Sequence, residues 1–253
     1  MLPKLYNDLA DWFHLLTAPI DYAAEAAAYR RAIVSASAEA PRTLLELGSG
    51  GGNNASHLKQ HFECTLTDVS PRMLEISRGL NPECTHVLGD MRELRLGRQF
   101  DAVFVHDAVM YITAEDDLRA VVETAYAHCK PGGVALFAPD CVRETFVPRT
   151  DHGGHDGEER ALRYVEWSWD PDPEDTTFIH DMAYILRENG DTRVVHDRHI
   201  YGLFPRATWQ RLLRDAGFAE VRIDTRPDDD GELGEVFVGI RSAPSGRSAI
   251  RES

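Results

Sequence analysis

The chain has 253 residues, the length of one compact domain with an insertion or of at most two small domains. Its 27 Lys and Arg residues against 42 Asp and Glu residues give a formal net charge of −15, which repels phosphate backbones and argues against a broad nucleic-acid surface. The hydrophobic fraction of 43% and the mean hydropathy of −0.36 suit a globular chain with a buried core, and no apolar run approaches the roughly 18 residues of a membrane span.

The first 40 residues are predicted to form a helical cap. Apolar residues recur there at the helical spacings of three and four: Leu5, Leu9, Trp12, Phe13 and Leu16. Pro19 interrupts this pattern. A second, alanine-rich helix is predicted from about Asp21, as its N-cap, to about Ser37.

Strands and helices alternate between residues 41 and 138. Apolar runs predict five strands, at residues 43–47, 64–68, 84–88, 100–105 and 134–138. Helices are predicted at residues 54–61 and 115–128. A further helix is predicted to begin after Ser70, its N-cap, with Pro71 in the first turn. Such alternation implies a parallel sheet with helices on both faces.

The alternation breaks between residues 139 and 204. Three antiparallel strands are predicted there, at residues 162–169, 176–187 and 192–201, and residues 188–191 form the turn between the last two. Residues 205–241 then complete the α/β core with a helix at 205–216 that Gly217 ends and with strands at 220–225 and 235–241, separated by an acidic turn. The Ser/Gly/Arg-rich tail, residues 242–253, is predicted to be disordered.

A glycine loop follows the first predicted strand, in the segment Glu46-Leu47-Gly48-Ser49-Gly50-Gly51-Gly52. Glycines let the backbone turn tightly against a ligand, and the following helix offers its free N–H groups. The loop alone would also fit a dinucleotide-binding fold.

Carboxylates at the ends of three strands separate these alternatives. Glu46 precedes the loop, Asp68 ends the second strand, and Asp90 follows the third in Gly89-Asp90-Met91. Asp68 could accept hydrogen bonds from both hydroxyls of a ribose, and Asp90 could accept one from an adenine amine. Three acids would repel a pyrophosphate but attract a positively charged adenosyl compound, so a dehydrogenase is not favoured.

These motifs resemble those of the class I S-adenosylmethionine-dependent methyltransferases, in which an acidic strand leads into G-x-G-x-G, an acid follows the second strand, Gly-Asp follows the third, and K-P-G-G precedes the fifth. The matching segments are Glu46 with Gly48, Gly50 and Gly52; Asp68-Val69-Ser70-Pro71-Arg72-Met73-Leu74, which is similar to D-x-S-x-x-M-L; Gly89-Asp90-Met91; and Lys130-Pro131-Gly132-Gly133. The resemblance covers residues 42–138. It implies an α/β fold with a Rossmann-like seven-stranded sheet, an N-terminal helical cap and an antiparallel β insertion after the fifth strand.

The resemblance also implies the cofactor S-adenosyl-L-methionine, the product S-adenosyl-L-homocysteine and the residues that hold them. The glycine loop and Tyr6 would contact the methionine part, and Asp68 the ribose. Val69, which follows Asp68 in the motif, would also contact the cofactor. Met73 and Met91 would flank the adenine, whose amine Asp90 would contact. For the two methionines and Tyr6, packing in the core is an equally good alternative. His106 would border the transferable methyl group, either as a general base or only as a lining residue.

The acceptor is expected between the cap and the insertion, whose position resembles the substrate lid of small-molecule enzymes, including glycine and amino-sugar N-methyltransferases. Aromatic side chains with a few polar groups suit a small organic acceptor, and the insertion is rich in them: Tyr164, Trp167, Trp169, His180, Tyr184, His199 and Tyr201. The residues predicted to contact the acceptor are Tyr22, Tyr111, Trp167, Trp169 and Tyr201. Packing of these aromatic residues on the core is the alternative, and the two can hold together.

The segment Asp151-His152-Gly153-Gly154-His155-Asp156 could supply metal ligands. Its central Gly-Gly indicates a mobile loop rather than a rigid ligand pair, so no metal site is predicted. His152 and His155 are instead predicted to be catalytic or substrate-contacting residues, and a solvated surface loop stays open as an alternative.

The sequence therefore predicts an enzyme that methylates a nitrogen or oxygen of a small metabolite, such as a natural-product intermediate. Residues 105–111 lack the Asn/Asp-Pro-Pro-Tyr pattern of enzymes that methylate nucleobase amines. Two alternatives stay open: a methyltransferase acting on tRNA or protein, and a cofactor-binding scaffold that regulates a partner without catalysis.

The N-terminus and the cysteines favour a cytoplasmic location. Residues 1–8 contain no apolar segment of a secretory signal. The four cysteines, Cys64, Cys84, Cys129 and Cys141, lie far apart without a C-x-x-C pair, which favours reduced thiols over disulfides or a zinc site. We expect a monomer or homodimer with no membrane or nucleic-acid partner.

Overall fold

The structure is a computed structural model, and it describes residues 3–227 and 233–243. Two β-sheets organise this part of the chain. The strands are β1 (Thr43–Leu47), β2 (Glu63–Asp68), β3 (Thr85–Leu88), β4 (Phe100–Val105), β5 (Cys129–Phe137), β6 (Arg149–Gly153), β7 (Arg160–Trp169), β8 (Thr177–Glu188), β9 (Asp191–Gly202), β10 (Glu220–Pro227) and β11 (Leu233–Ile240). The α-helices are α1 (Phe13–Leu16), α2 (Ala23–Ala36), α3 (Asn53–Leu58), α4 (Pro71–Leu80), α5 (Glu115–His128) and α6 (Arg206–Ala216).

The larger sheet has seven strands in the order β10-β11-β5-β4-β1-β2-β3. Strands β1 to β5 run parallel, and β11 pairs antiparallel with both β5 and β10. Its central strands are buried on both faces, under two apolar clusters built around Phe137 and Trp209 on one face and around Tyr29 and Phe104 on the other. The predicted seven-stranded α/β fold is thereby confirmed.

The insertion forms a second, antiparallel sheet, β6-β7-β8-β9, which we call the lid sheet. Asn189 and Gly190 have φ angles of 53° and 86°, as a two-residue turn between β8 and β9 requires. The prediction of three strands in the insertion was incomplete. The prediction of a mobile loop at residues 151–156 was wrong for residues 151–153. Residues 149–153 pair with β7 as an edge strand, because backbone pairing satisfies their N–H and C=O groups despite the glycines.

The N-terminal cap is less regular than predicted. In place of one helix, the structure has 3₁₀ turns at Lys4–Tyr6 and Ala10–Trp12, the four-residue α1, and another 3₁₀ turn at Pro19–Tyr22. The apolar residues of the predicted helix pack on Leu162, Met182 and Tyr184 of the lid sheet. Contact with the lid therefore overrides the helical spacing, and α2 begins after Tyr22 rather than with Asp21 as an N-cap.

The other elements follow the predictions within a few residues. Ser70 is the predicted N-cap, since its Oγ accepts a hydrogen bond from the Met73 N–H at 3.2 Å. Gly217 ends α6 with a φ angle of 108°. The acidic turn and most of the tail (residues 228–232 and 244–253) lie outside the described residues. Among the described helices, none combines the length and the apolar composition that crossing a bilayer requires.

Gly202, the last residue of β9, packs closely against the segment that follows β4. A Cβ atom there would lie 1.9 Å from the backbone oxygen of Ile112 and 2.9 Å from the Phe204 ring. We expect Gly202→Ala to lower the free energy of unfolding by about 1–3 kcal/mol, because the backbone must move to relieve the overlap. Thermal unfolding would measure this as a drop of several degrees.

Gly79→Ala in α4 is the matched control for this prediction. No atom lies within 4 Å of a Cβ placed at Gly79. Because alanine is the better helix former, this control is expected to stabilise the protein by about 0.5–1 kcal/mol. Equal effects of the two substitutions would contradict the close contact at Gly202.

Candidate functional site

A cavity of about 1400 Å³ lies between the carboxyl ends of β1 to β4, the N-terminal turns and the inner face of the lid sheet. Seven carboxyl side chains contribute to its lining: Asp21, Glu46, Asp68, Asp90, Asp107, Glu166 and Asp197. Carboxyl ends of parallel strands are the usual ligand edge of such a sheet. The acidic lining favours a ligand that carries positive charge.

The glycine loop is held against β2. The N–H groups of Gly48 and Ser49 both donate to the Thr67 carbonyl at 2.8 Å. Gly48 has a φ angle of 77°, and a Cβ atom there would lie 2.4 Å from the Ala108 Cβ and 2.7 Å from the Met91 Cε. Only glycine therefore fits at this position, where the loop borders the cavity.

Asp68 connects the glycine loop to the start of α4. Its Oδ2 accepts from the Gly50 N–H at 2.9 Å, and its Oδ1 accepts from the Ser70 N–H at 2.7 Å. Burial raises the pKa of this carboxyl, and the backbone donors oppose that rise. Each carboxylate oxygen keeps a lone pair for a further donor, such as a ribose hydroxyl.

Around the glycine loop, four buried polar atoms at the cavity have no hydrogen-bond partner among the described residues: Glu46 Oε2, Ser49 Oγ, Asn53 Oδ1 and Asn54 Oδ1. Buried polar atoms in native proteins are nearly always bonded, so this group of acceptors points to a ligand with donors. Burial raises the pKa of Glu46 to about 8, although the neighbouring His106 opposes the rise. A cationic group beside Glu46 would restore its ionised form.

His106, at the end of β4, lies between two carboxylates. Its Nε2 is 2.7 Å from Asp107 Oδ1 and 3.2 Å from Glu25 Oε1, and its Nδ1 is 3.3 Å from the Asn54 amide. Burial alone would lower the pKa of the imidazole, but the two carboxylates outweigh burial and hold the pKa well above its usual range. An imidazole that is already protonated cannot accept a proton, so this geometry favours a lining residue over a general base.

The predicted adenine end of the cavity contains Val69, Asp90 and Met91. Arg92 Nη2 lies 2.6 Å from Asp90 Oδ2, and this contact lowers the pKa of the Asp90 carboxyl. Met73 does not line the cavity, because its side chain is fully buried in the core. Gly52 does not line it either, but its φ angle of 82° lets α3 begin directly after the loop.

Tyr111 is the centre of a polar cluster on the side of the cavity that faces the lid sheet. Its hydroxyl lies 2.6 Å from His199 Nδ1, 3.1 Å from the Tyr6 hydroxyl and 3.2 Å from the Tyr201 hydroxyl. His199 Nε2 lies 3.4 Å from Asp197 Oδ2, and the Leu5 N–H donates to the same oxygen at 3.1 Å. Burial raises the pKa values of the three phenols, so their hydroxyls stay protonated at neutral pH.

The predicted acceptor residues divide between the two faces of the lid sheet. Tyr22, Tyr111 and Tyr201 line the cavity. Trp167 and Trp169 do not, since they stack on each other with ring centroids 5.7 Å apart on the outer face. The correction follows from strand alternation, which turns Tyr164 and Glu166 of β7 toward the cavity.

The two histidines of residues 151–156 are also separated. His155 lines the cavity, where its Nε2 lies 3.1 Å from Asp21 Oδ2. His152 is exposed on the edge strand β6 and lies outside the cavity lining. Within residues 3–227 and 233–243, no group of three or more His, Cys, Asp or Glu side chains is arranged to hold a metal ion.

The sequence analysis did not single out three acids at or beside the cavity: Glu25, which contacts His106 from behind the lining, Glu166 of the lid sheet, and Asp197 beside His199. It named His180, Tyr184 and His199 only as part of the aromatic content of the insertion. A signal for the lid residues was present. His180, Met182 and Tyr184 occur at every second position of β8, as do Asp197, His199 and Tyr201 of β9, so each set lies on one face.

Comparisons with known proteins agree with this geometry. A family model described as a methyltransferase domain matches residues 44–133. The chain is 30% identical to dTDP-3-amino-3,4,6-trideoxy-alpha-D-glucopyranose N,N-dimethyltransferase of Streptomyces venezuelae, over 93% of this chain and 97% of that protein. It is 33% identical to dTDP-3-amino-3,6-dideoxy-alpha-D-glucopyranose N,N-dimethyltransferase of Streptomyces fradiae, over 88% and 86%. The crystal structure of Streptomyces venezuelae DesVI superposes with a TM-score of 0.79 at 28% identity, over 93% of this chain and 98% of that one.

Proposed function

This chain belongs to the class I S-adenosylmethionine-dependent methyltransferases, and from that premise we propose that it methylates the amine of a deoxyamino sugar. It is an enzyme that transfers methyl groups from S-adenosyl-L-methionine to a small-molecule acceptor. The proposal of an amino-sugar acceptor rests on the extent of the similarity to the sugar N,N-dimethyltransferases. This similarity spans the lid sheet as well as the glycine loop, and the lid sheet supplies the acceptor side of the cavity.

The residues at the glycine loop fit the cofactor. The unpartnered Glu46 oxygen suits the ammonium of the methionine part, and Asp68 suits the ribose hydroxyls. Met91 and Val69 would contact the adenine, with Asp90 near its amine. When bound, the cofactor supplies a methyl group on a sulfonium, which is a good leaving group. The task of the chain is therefore to orient the acceptor nitrogen and to exclude water.

The acceptor side of the cavity suits an amino sugar. Tyr6, Tyr111 and Tyr201 offer hydroxyls and apolar ring faces. Glu166 Oε2 and His180 Nε2, 3.4 Å apart, are placed to bond sugar hydroxyls. Carboxylates around the cavity favour the ammonium form of the amine at the binding step.

The direct test uses dTDP-3-amino-3,4,6-trideoxy-α-D-glucopyranose as the acceptor and its 3-hydroxy analogue as the matched control. We expect mass spectrometry to detect one and then two added methyl groups on the amine and none on the hydroxyl analogue. Equal transfer to the hydroxyl analogue would contradict an amine acceptor. Transfer to neither would contradict the sugar class.

A second measurement addresses macromolecular acceptors. Methyl-labelled cofactor is incubated with a cell extract that is then separated into small-molecule and macromolecular pools. We expect label in the small-molecule pool, because the strand ends, the lid sheet and the N-terminal turns together line one cavity of about 1400 Å³, which is room for the cofactor and a metabolite. Label in tRNA or protein would contradict this expectation.

We place the enzyme in the cytoplasm. Support comes from the four cysteines, all of which are free thiols, as is usual in a reducing compartment. A monomer or homodimer stays a prediction, as does the division of the chain into a cap, a core, a lid and a core completion at residues 40, 138 and 204.

A further inference from the structure

We propose that Tyr111, His199 and Asp197 form a proton relay that removes the proton from the acceptor's ammonium group before methyl transfer. The relay rests on the amine acceptor proposed above. Tyr111 would be the catalytic residue that touches the amine, while His199 and Asp197 would act through it.

The geometry is that of a hydroxyl, an imidazole and a carboxylate in sequence. The Tyr111 hydroxyl lies 2.6 Å from His199 Nδ1, and His199 Nε2 lies 3.4 Å from Asp197 Oδ2. His199 is only 3% exposed and Asp197 5% exposed, so the pair is shielded from water. Asp197 is oriented from behind by the Leu5 N–H. The 3.4 Å contact does not have hydrogen-bond geometry, but the charge of the Asp197 carboxylate favours the tautomer with the proton on Nε2, in which Nδ1 is an acceptor.

A proton acceptor has a task here because the acceptor amine binds as an ammonium. An ammonium nitrogen has no lone pair and cannot attack a methyl carbon, so each methylation must begin with loss of a proton. His106 is unsuited to accept it, because Asp107 and Glu25 hold its imidazole in the protonated form. His180 Nδ1 lies 2.8 Å from Ser168 Oγ, and its Nε2 faces Glu166. His199 is the histidine bonded to a tyrosine hydroxyl at the cavity.

Each step of the reaction conserves protons and electrons. At rest the Tyr111 hydroxyl donates to Tyr6 Oη, and for the transfer it turns to His199 Nδ1. The ammonium then gives a proton to Tyr111 Oη as the Tyr111 hydroxyl proton passes to His199 Nδ1. The phenol stays neutral, and the imidazolium that forms is paired with the Asp197 carboxylate. The freed nitrogen lone pair then forms the N–C bond to the methyl group, and the electrons of the breaking C–S bond pass to sulfur. The proton on His199 returns to solvent when product leaves.

Other titratable groups surround the relay and will share in any pH dependence. The N-terminal turn contributes Tyr6, β7 contributes Glu166, and β8 contributes His180 and Tyr184. Tyr201 comes from β9, and Asp140 follows β5. His199→Gln leaves all of these groups in place. Its side-chain oxygen can still accept from Tyr111, but it cannot hold a proton.

The test is the pH profile of kcat/KM for His199→Gln with dTDP-3-amino-3,4,6-trideoxy-α-D-glucopyranose. At pH 7 we expect a loss of about a hundredfold, the scale of general-base catalysis. The loss should shrink by about tenfold per pH unit as free amine becomes abundant in solution, while the affinity for S-adenosylhomocysteine stays unchanged. A loss that is constant across pH would overturn the relay, because a merely structural role does not depend on amine ionisation.

His196→Gln is the matched control. His196 lies on the same strand but on the outer face, where its Nε2 is 2.9 Å from Asp181 Oδ1. Its substitution should change neither kcat/KM nor the profile. Tyr111→Phe is the second variant and should give the same profile as His199→Gln, because it removes the hydroxyl between amine and imidazole.

The outcomes separate the two proposals. A wild-type enzyme that methylates the amine, with His199→Gln and Tyr111→Phe equally active at pH 7, would overturn the relay and leave the proposed function standing. A wild-type enzyme that methylates no amine would overturn both proposals.

Discussion

Replacing Asp68 by alanine is expected to weaken binding of S-adenosylhomocysteine by a hundredfold or more. The substitution removes the acceptor for two ribose hydroxyls, at about 1.5–3 kcal/mol for each hydrogen bond to a charged group. It also leaves the Gly50 and Ser70 N–H groups without their carboxylate, which loosens the loop that must contact the methionine part. Isothermal titration calorimetry measures the affinity directly.

Asp90→Ala is the comparison for this experiment. Its carboxyl is already paired with Arg92, and a single contact with the adenine amine is expected. We therefore expect about a tenfold loss, the value of one hydrogen bond. An unchanged affinity of Asp68→Ala, or a larger loss in Asp90→Ala, would contradict the ribose assignment. Melting curves without ligand separate a loss of binding from a loss of folding.

Glu46→Gln is expected to stabilise the ligand-free protein and to weaken cofactor binding. Burial raises the pKa of Glu46 from its ordinary value of 4.5 to about 8. The folded state therefore keeps a proton that the unfolded chain releases, and the free energy of unfolding falls as pH rises from about 4.5 to 8. The shift corresponds to at most about 4–5 kcal/mol, reached at the upper end of that window. A glutamine side chain does not ionise, so Glu46→Gln does not lose stability over this pH range.

Thermal unfolding at pH 5 and at pH 8, with and without S-adenosylhomocysteine, tests this prediction. The ligand-free variant should melt several degrees above the wild type at pH 8 and close to it at pH 5. Added ligand should raise the wild-type melting temperature more than that of the variant, because glutamine cannot pair with the ammonium.

Glu63→Gln is the matched control for Glu46→Gln. Glu63 lies at the start of the neighbouring strand, and its side chain is 70% exposed. Its substitution should change stability by less than about 0.5 kcal/mol at either pH. A lower melting temperature of ligand-free Glu46→Gln at pH 8 would contradict the account of Glu46.

The cofactor half of the fold could be predicted because its signals are local. Each strand is a short apolar run, and each acid predicted to hold the cofactor lies within two residues of the carboxyl end of a strand, so position in the sequence fixes position at the sheet edge. Glu46, Asp68 and Asp90 accordingly all line the cavity. The conformation of the glycine loop depends on the backbone freedom of its own glycines, so it could also be predicted from local sequence.

The acceptor half could not be predicted to the same depth, because its contacts join distant segments. Tyr111 and His199 are 88 positions apart, and their hydrogen bond depends on how the lid sheet meets the larger sheet. The two tryptophans of β7 were assigned to the acceptor from their chemistry, although strand alternation places Glu166 inward. The N-terminal helix was wrongly predicted for the same reason, because contacts with the distant lid sheet determine the conformation of the cap despite its helical spacing.

The position of β11 has a consequence for synthesis of the chain. This strand lies between β5 and β10, and its Val238 pairs with Leu136, roughly a hundred positions earlier. While the ribosome makes the lid and α6, the edge of β5 has no neighbour on that side, and the apolar side chains of Leu136 and Phe137 lack part of their cover. Unpaired apolar strand edges are sites of aggregation. The nascent enzyme is therefore expected to need chaperone protection until residues 233–240 have emerged from the exit tunnel.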